Sequence, residues 1–198
     1  MVEAKIQNLP PEQKELPAKF LEMLSLPKFQ KALALSAAHT CEKGLEAGFD
    51  IDLLPDGSFW IDEVRGGGTR SMGDGELIAY IDEPRDETIE AVRYFGFHIH
   101  PDIEDVIIPS PDDLDSHFSD KKKFADLQSE FMGIGQAKEK GKMKVLVVSK
   151  PKYGLTDNDL KFYEDELDKA RRLSQRDVRL LLSTISLSNF VVELQLTS

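Results

Sequence analysis

Cysteine is all but missing from this chain, with Cys41 the single example among 198 residues. A lone thiol closes no intrachain disulfide, which excludes the disulfide-stapled secreted scaffolds and makes a reducing cytoplasm the expected location. Basic charge is short as well. Lysine and arginine number 25 against 36 acidic residues, for a formal net charge of −11 and a pI near 4.9. Nucleic-acid partners need a basic face and gain affinity by counterion release, so this balance argues against them. Lys121-Lys122-Lys123 and the lysines at 138, 140, 142 and 144 stand among acidic residues and read as solvated faces. No apolar run of about 18 residues and no charged-then-apolar leader occurs, so neither a membrane span nor a membrane partner is expected. Histidine is scarce too, at four residues, which makes any clustering of it informative.

What is present is a globular balance, 40% hydrophobic and 31% charged, in a length suited to one domain of roughly 100–200 residues. Residues Glu12 to Leu24 and 28–46 carry helical apolar spacing, but prolines at 10, 11, 17 and 27 punctuate them. Residues 1–26 therefore read as an N-terminal helical appendage, and 27–198 as the main domain. Cys41 lies eight residues after Leu33 and reads as a packed core thiol of that second helix. The period then changes. Phe49, Ile51 and Leu53 alternate with aspartates, Pro55-Asp56-Gly57-Ser58 supplies turn residues, and residues 49–64 read as a hairpin. Gly66-Gly67-Gly68 is followed by no Gly-Lys-Ser/Thr and reads as a plain loop rather than a phosphate cradle. Further strands are expected at Leu77–Ile81, Val92–His100, Val145–Ser149 and Phe190–Leu196, with helices over 112–131 and 157–182. Strands with helices at both ends suggest an α+β fold in mixed α/β/α layers. Residues 183–198 either complete the sheet or pair with a second copy of the chain.

The chemistry concentrates in Gly96-Phe97-His98-Ile99-His100-Pro101 and Pro109-Ser110-Pro111-Asp112-Asp113. On a strand, positions i and i+2 share a face about 6.5–7 Å apart, so His98 and His100 can converge on one ion. Pro101 then ends the strand, and a loop can return Asp113 as a third ligand. Two nitrogens and one carboxylate leave a tetrahedral position for water, the arrangement of catalytic zinc. By itself a His-x-His pair is a weak signal. His39 and His117 read as helix or surface residues rather than ligands.

Together with the following proline and the Ser110-x-x-Asp113 spacing, these residues resemble the JAMM motif of the JAB/MPN metallopeptidase family, in its bacterial and archaeal form. The resemblance spans roughly residues 28–150. It implies a cytidine-deaminase-like architecture, with a central, mostly antiparallel sheet flanked by helices. Two departures stand out: twelve residues separate His100 from Asp113, a longer loop than the family pattern carries, and Ile99 replaces a small hydroxyl residue. The longer loop leaves Asp112 as an alternative ligand, although Asp113 keeps the internal spacing and is preferred. The family's upstream glutamate has three candidates, Glu42, Glu46 and Glu63. Glu46 is chosen because it stands at a helix-to-strand junction with Gly48 shortly after it.

The resemblance further implies Zn2+ held by His98, His100 and Asp113, with Glu46 as general base and then general acid, and Ser110 as donor to the oxyanion. The reaction would be hydrolysis of an isopeptide or C-terminal peptide bond, in a protein substrate that carries a ubiquitin-like modifier or a small carrier protein. Residues 66–88 and 120–143 correspond to the substrate-gripping segments, the first of them ordering when substrate binds. Two other classes compete. A non-catalytic MPN-type scaffold would keep the fold and lose ligands. A cupin oxygenase would use His98, His100 and Glu104, but the second cupin motif is absent and the long helices suit a small barrel poorly.

Overall fold

The computed structural model describes residues 2–7, 18–67, 75–86, 88–101, 106–119, 129–139, 142–151, 153–170 and 172–196. The elements are β1 (Val2–Gln7), α1 (Ala18–Ser25), α2 (Pro27–Lys43), β2 (Ala47–Leu53), β3 (Phe59–Trp60), β4 (Glu63–Gly66) and β5 (Glu76–Tyr80). They continue with β6 (Val92–His100), α3 (Pro111–Phe118), β7 (Phe131–Glu139), β8 (Lys142–Ser149), α4 (Asp157–Lys169), α5 (Gln175–Thr184) and β9 (Ser188–Leu196). The strands form one sheet in the order β1-β9-β8-β7-β6-β2-β4-β5, with β3 paired to β2. Every pairing is antiparallel except β6 with β7, so the fold is α+β with a mostly antiparallel central sheet flanked by helices.

The β8 sequence Val145-Leu146-Val147-Val148 explains the layering. A strand buried on both faces loses the polar alternation of a half-exposed one. Val145 and Val147 face one core with α1, α2, Phe49, Phe95 and Phe97. Leu146 and Val148 face a second core with α3, α4 and α5, in which Tyr163, Val178 and Leu182 are fully buried. The helices of the second face pack on β7, β8 and β9, and among the described residues a cleft lies at the β2–β4 end of that face.

Several expectations change. Residues 1–26 hold a strand as well as a helix, and both join the main body. β1 pairs along its whole length with β9, and Phe20 of α1 lies among Phe95, Phe131 and Phe190 with ring centroids 5.2–5.8 Å apart. Losing that ring would cost about 3–5 kcal/mol. The expected helix over 112–131 ends at Phe118, and Phe131 opens β7, a strand masked in the sequence by Gly133 and Gly135. Residues 157–182 make two helices, because Ser174 caps a new one through a reciprocal box with Asp177. Cys41 is exposed, not buried. At about 100° per residue, eight residues carry it about 80° past Leu33, off the buried stripe of Phe29, Ala32, Leu33, Ser36, Ala37 and Thr40.

No helix among the described residues is long and apolar enough to cross a membrane. Residues 68–74, 87, 120–128 and 140–141 of the two expected substrate-gripping segments lie outside the described residues, as do Lys121-Lys122-Lys123 and Glu104.

Candidate metal centre

The strand β6 divides its side chains between the two cores. Phe95, Phe97 and Ile99 enter the first, so period-2 alternation turns Gly96, His98 and His100 to the other face. The Nε2 atoms of His98 and His100 approach to 3.0 Å. On the same face, α3 supplies the carboxylate. Asp113 Oδ1 lies 3.6 Å from His98 Nε2, and one ligand atom from each of His98, His100 and Asp113 falls within 4.8 Å of the others.

Glycine sets the approach of α3. A Cβ on Gly96 would stand 2.2 Å from His117 Cε1, so only a residue without a side chain lets that ring lie on the strand. His117 follows Asp113 by four residues, about one helical turn, and Gly96 precedes His98 by two strand positions. Seating His117 on Gly96 therefore brings Asp113 to His98. The far side of α2 docks in the same manner, where a Cβ on Gly66 would meet His39 Nε2 at 2.5 Å. His39 is buried, and among the described residues its Nε2 accepts or donates no hydrogen bond.

The end of α3 is locked by its own cap. Ser110 N–H donates to Asp113 Oδ2 at 2.8 Å, and Asp113 N–H donates to Ser110 Oγ at 3.1 Å, which leaves Oδ1 for the histidines. Behind the cap, Gln175 grips Ile107 at both ends, accepting from its N–H at 2.8 Å and donating to its carbonyl at 3.1 Å. The Tyr163 hydroxyl donates to the Pro109 carbonyl at 3.0 Å. The two C-terminal helices thus hold the ligand-bearing loop, a role carried by residues with no motif to mark them.

Glu46 arrives by register. After α2, Gly44 takes a left-handed conformation at φ 66° and turns the chain toward β2. Ala47 pairs with Ile99, so the preceding residue comes opposite His100, and Glu46 Oε1 lies 3.6 Å from His100 Nε2. The rival glutamates go elsewhere: Glu42 is exposed on α2, and Glu63 pairs with Arg65 on β4. Asp112 is exposed on the first turn of α3.

Electrostatics suit the three groups to a cation. Burial, reinforced by His98, holds His100 below its ordinary pKa against the opposing pull of Glu46 and Asp113, so it is neutral and its lone pair is available. Burial pushes the Asp113 carboxyl up, but His98, the two Ser110 hydrogen bonds and His100 together bring it below the usual value, so it is ionised. Burial raises Glu46, with His100 lowering it and Asp113 raising it, which moves this carboxylate toward the range of a working base.

The fit to a metal can be tested on distances. Zinc bonds of about 2.0–2.1 Å in a tetrahedron place ligand atoms about 3.3–3.4 Å apart. Two of the three separations, 3.0 Å and 3.6 Å, straddle that value, and the third, between His100 and Asp113, stays within 4.8 Å. The His-His-Asp group can therefore hold a metal ion.

Compared with known protein families, with curated proteins of described function and with solved structures, the chain has no significant match.

Proposed function

We propose that this chain is a JAMM-type zinc metallopeptidase of the JAB/MPN kind, which hydrolyses an isopeptide or C-terminal peptide bond to release a ubiquitin-like modifier or small carrier protein. The observation that carries the reading is the convergence of His98, His100 and Asp113 with Glu46 beside them, from three separate stretches of sequence. A divalent ion held by His98, His100 and Asp113 would supply Lewis acidity, polarising a carbonyl and lowering the pKa of water from about 15.7 toward about 7.

The chain's own residues would do the rest. Glu46, 3.6 Å from His100 and with its pKa raised by burial, takes a proton from the attacking water and returns it to the leaving amine. That service contributes about 10²–10⁴-fold. Ser110 Oγ accepts from the Asp113 amide, so its own proton stays available to donate to the developing oxyanion, a contact worth roughly 3 kcal/mol. The Asp113 carboxylate stays ionised through His98 first and then through its cap. The acidic composition and single thiol fit an intracellular protein-processing role.

The cupin reading loses support, because the sheet is open, ends in β1 and β5, and carries helices on both faces. The scaffold reading keeps the same fold and differs only in chemistry. Hydrolysis of isopeptide-linked ubiquitin-like conjugates separates the two. The natural chain should cleave, and Glu46→Gln should retain metal but lose turnover by about 10²-fold or more. Cleavage undiminished in Glu46→Gln would refute the assignment of the base, and absence of cleavage by metal-loaded protein across such conjugates would favour the scaffold.

A further inference from the structure

The cleft beside the metal cluster has its own chemistry. It measures about 330 Å³, lies at the β2–β4 end of the sheet and is lined by Gly48 among others. Gly48 pairs directly with His98, so the cleft begins one strand away from the metal ligands. Moving along β2, Asp50 and Asp52 follow at two-residue steps, about 6.5–7 Å each.

The cleft's three arginines are already engaged. Arg93 binds Asp50 at 2.6 Å and Asp52 at 2.8 Å. Arg85 binds Asp52 at 3.2 Å and lies with its guanidinium carbon 4.5 Å over the Trp60 ring. Arg65 pairs with Glu63 and donates to the Gly75 carbonyl. Two acceptors remain. Asp50 Oδ1 accepts no hydrogen bond among the described residues, but it is closed to solvent. Asp62, the fourth acid of the lining, has no ion pair or side-chain hydrogen bond among the described residues. Its carboxyl is held above its ordinary value by burial and then by Glu63, against the opposing pull of Arg65 and Arg85. Among the described residues every arginine of this cleft has a carboxylate partner, whereas the Asp62 carboxylate has no direct partner that an incoming cation must displace.

We propose that this cleft is a specificity pocket for a basic side chain, arginine or lysine, on an extended peptide segment whose backbone leads to the metal cluster. The inference rests on the peptidase reading for its substrate, and it sharpens that reading. At about 3.3 Å per extended residue, the basic side chain stands roughly two to four residues from the bond to be cleaved.

Trp60 is the chain's single tryptophan and lines the cleft, so its fluorescence reports occupancy without reference to activity. The probes are the blocked peptides acetyl-Ala-Arg-Ala-Ala-amide and its glutamine and glutamate counterparts, titrated into full-length protein with and without chelator. The arginine peptide should give a saturable change and bind about tenfold more tightly than the glutamine one. Asp62→Asn should erase that preference, and Asp62→Lys should remove arginine-peptide binding by placing a cation in the cleft. Equal binding of the arginine and glutamine peptides, tighter binding of the glutamate peptide, or no saturable response would overturn the proposal. The comparison of peptides on the natural chain decides the matter even if a variant fails to fold. Peptide selectivity in protein that takes up no metal would leave the pocket standing and remove the peptidase reading, while metal uptake without selectivity would do the reverse.

Discussion

Replacing Gly96 with alanine puts a methyl carbon where the His117 ring lies. That carbon would be 2.2 Å from His117 Cε1, and ordinary contact begins at 3.4 Å, so the ring has to retreat by more than an ångström. The ring is not at the end of a free arm. Its Nδ1 is 3.0 Å from Ser129 Oγ, and the same helix buries Leu114 and Phe118. The retreat is therefore shared by α3, which carries Asp113 one turn away. Metal sites tolerate about 0.2 Å in ligand distance. Overpacking of this kind costs about 1–3 kcal/mol of stability, and misplaced ligand support costs about 10–100-fold in metal affinity. Competition of the purified protein against a zinc-binding dye measures the second quantity, and thermal melting the first. The double variant Gly96→Ala with His117→Ala should recover the stability lost to the clash but not the metal affinity, because the contact that seats α3 on β6 is gone. Undiminished zinc affinity in Gly96→Ala alone would refute the claim that the His117–Gly96 contact places Asp113.

Other outcomes follow from the same packing and hydrogen bonds. Gln175→Ala releases both hydrogen bonds to Ile107 and should lower stability by about 1–3 kcal/mol, read by urea unfolding, with faster amide exchange at 107–110 as its local signature. Ser174 holds the Asp177 carboxyl below its ordinary pKa through side-chain and backbone hydrogen bonds. A group with a depressed folded-state pKa stabilises above its unfolded value, about 3.9, and that contribution disappears as pH falls through the lower folded value. The stability gap between the natural chain and Asp177→Asn should thus be present at pH 5 and close below pH 3.9 in acid titrations followed by circular dichroism. Cys41 is exposed, so a thiol reagent should titrate it in the folded protein at the rate seen in urea, and protection by folding would contradict the placement of α2.

The alternation of Phe95, Phe97 and Ile99 with Gly96, His98 and His100 is legible in the sequence alone, because a strand's period of two is written directly in its residue types. The α+β class follows from the same reasoning. Glycines defeat it at β7, where Gly133 and Gly135 sit beneath Phe95 and Phe97 and are demanded by those rings rather than by strand preference. The capping pattern Ser174-x-x-Asp177 is a readable signal for the break between α4 and α5, as Ser110-x-x-Asp113 is for α3. Glu46 stands apart from Glu42 and Glu63 in the sequence by its helix-to-strand junction, but its approach to His100 rests on register, since Ala47 opposite Ile99 is a non-local fact. The cleft residues are invisible in the sequence for a similar reason. Asp50 and Asp52 stand out as alternating polar positions, but Arg85 and Arg93 reach them from distant sequence. The clamp of Gln175 on Ile107, 68 residues apart, has no local signature at all.

The most direct test of the metal centre is elemental content of protein purified without chelator, natural chain beside His100→Ala. The account predicts about one zinc per chain in the first and its loss in the second, with melting temperature falling in the natural chain on chelation. Protein without metal that also fails to take up added zinc, or zinc content unchanged by His100→Ala, would contradict the assignment of His98, His100 and Asp113 as ligands.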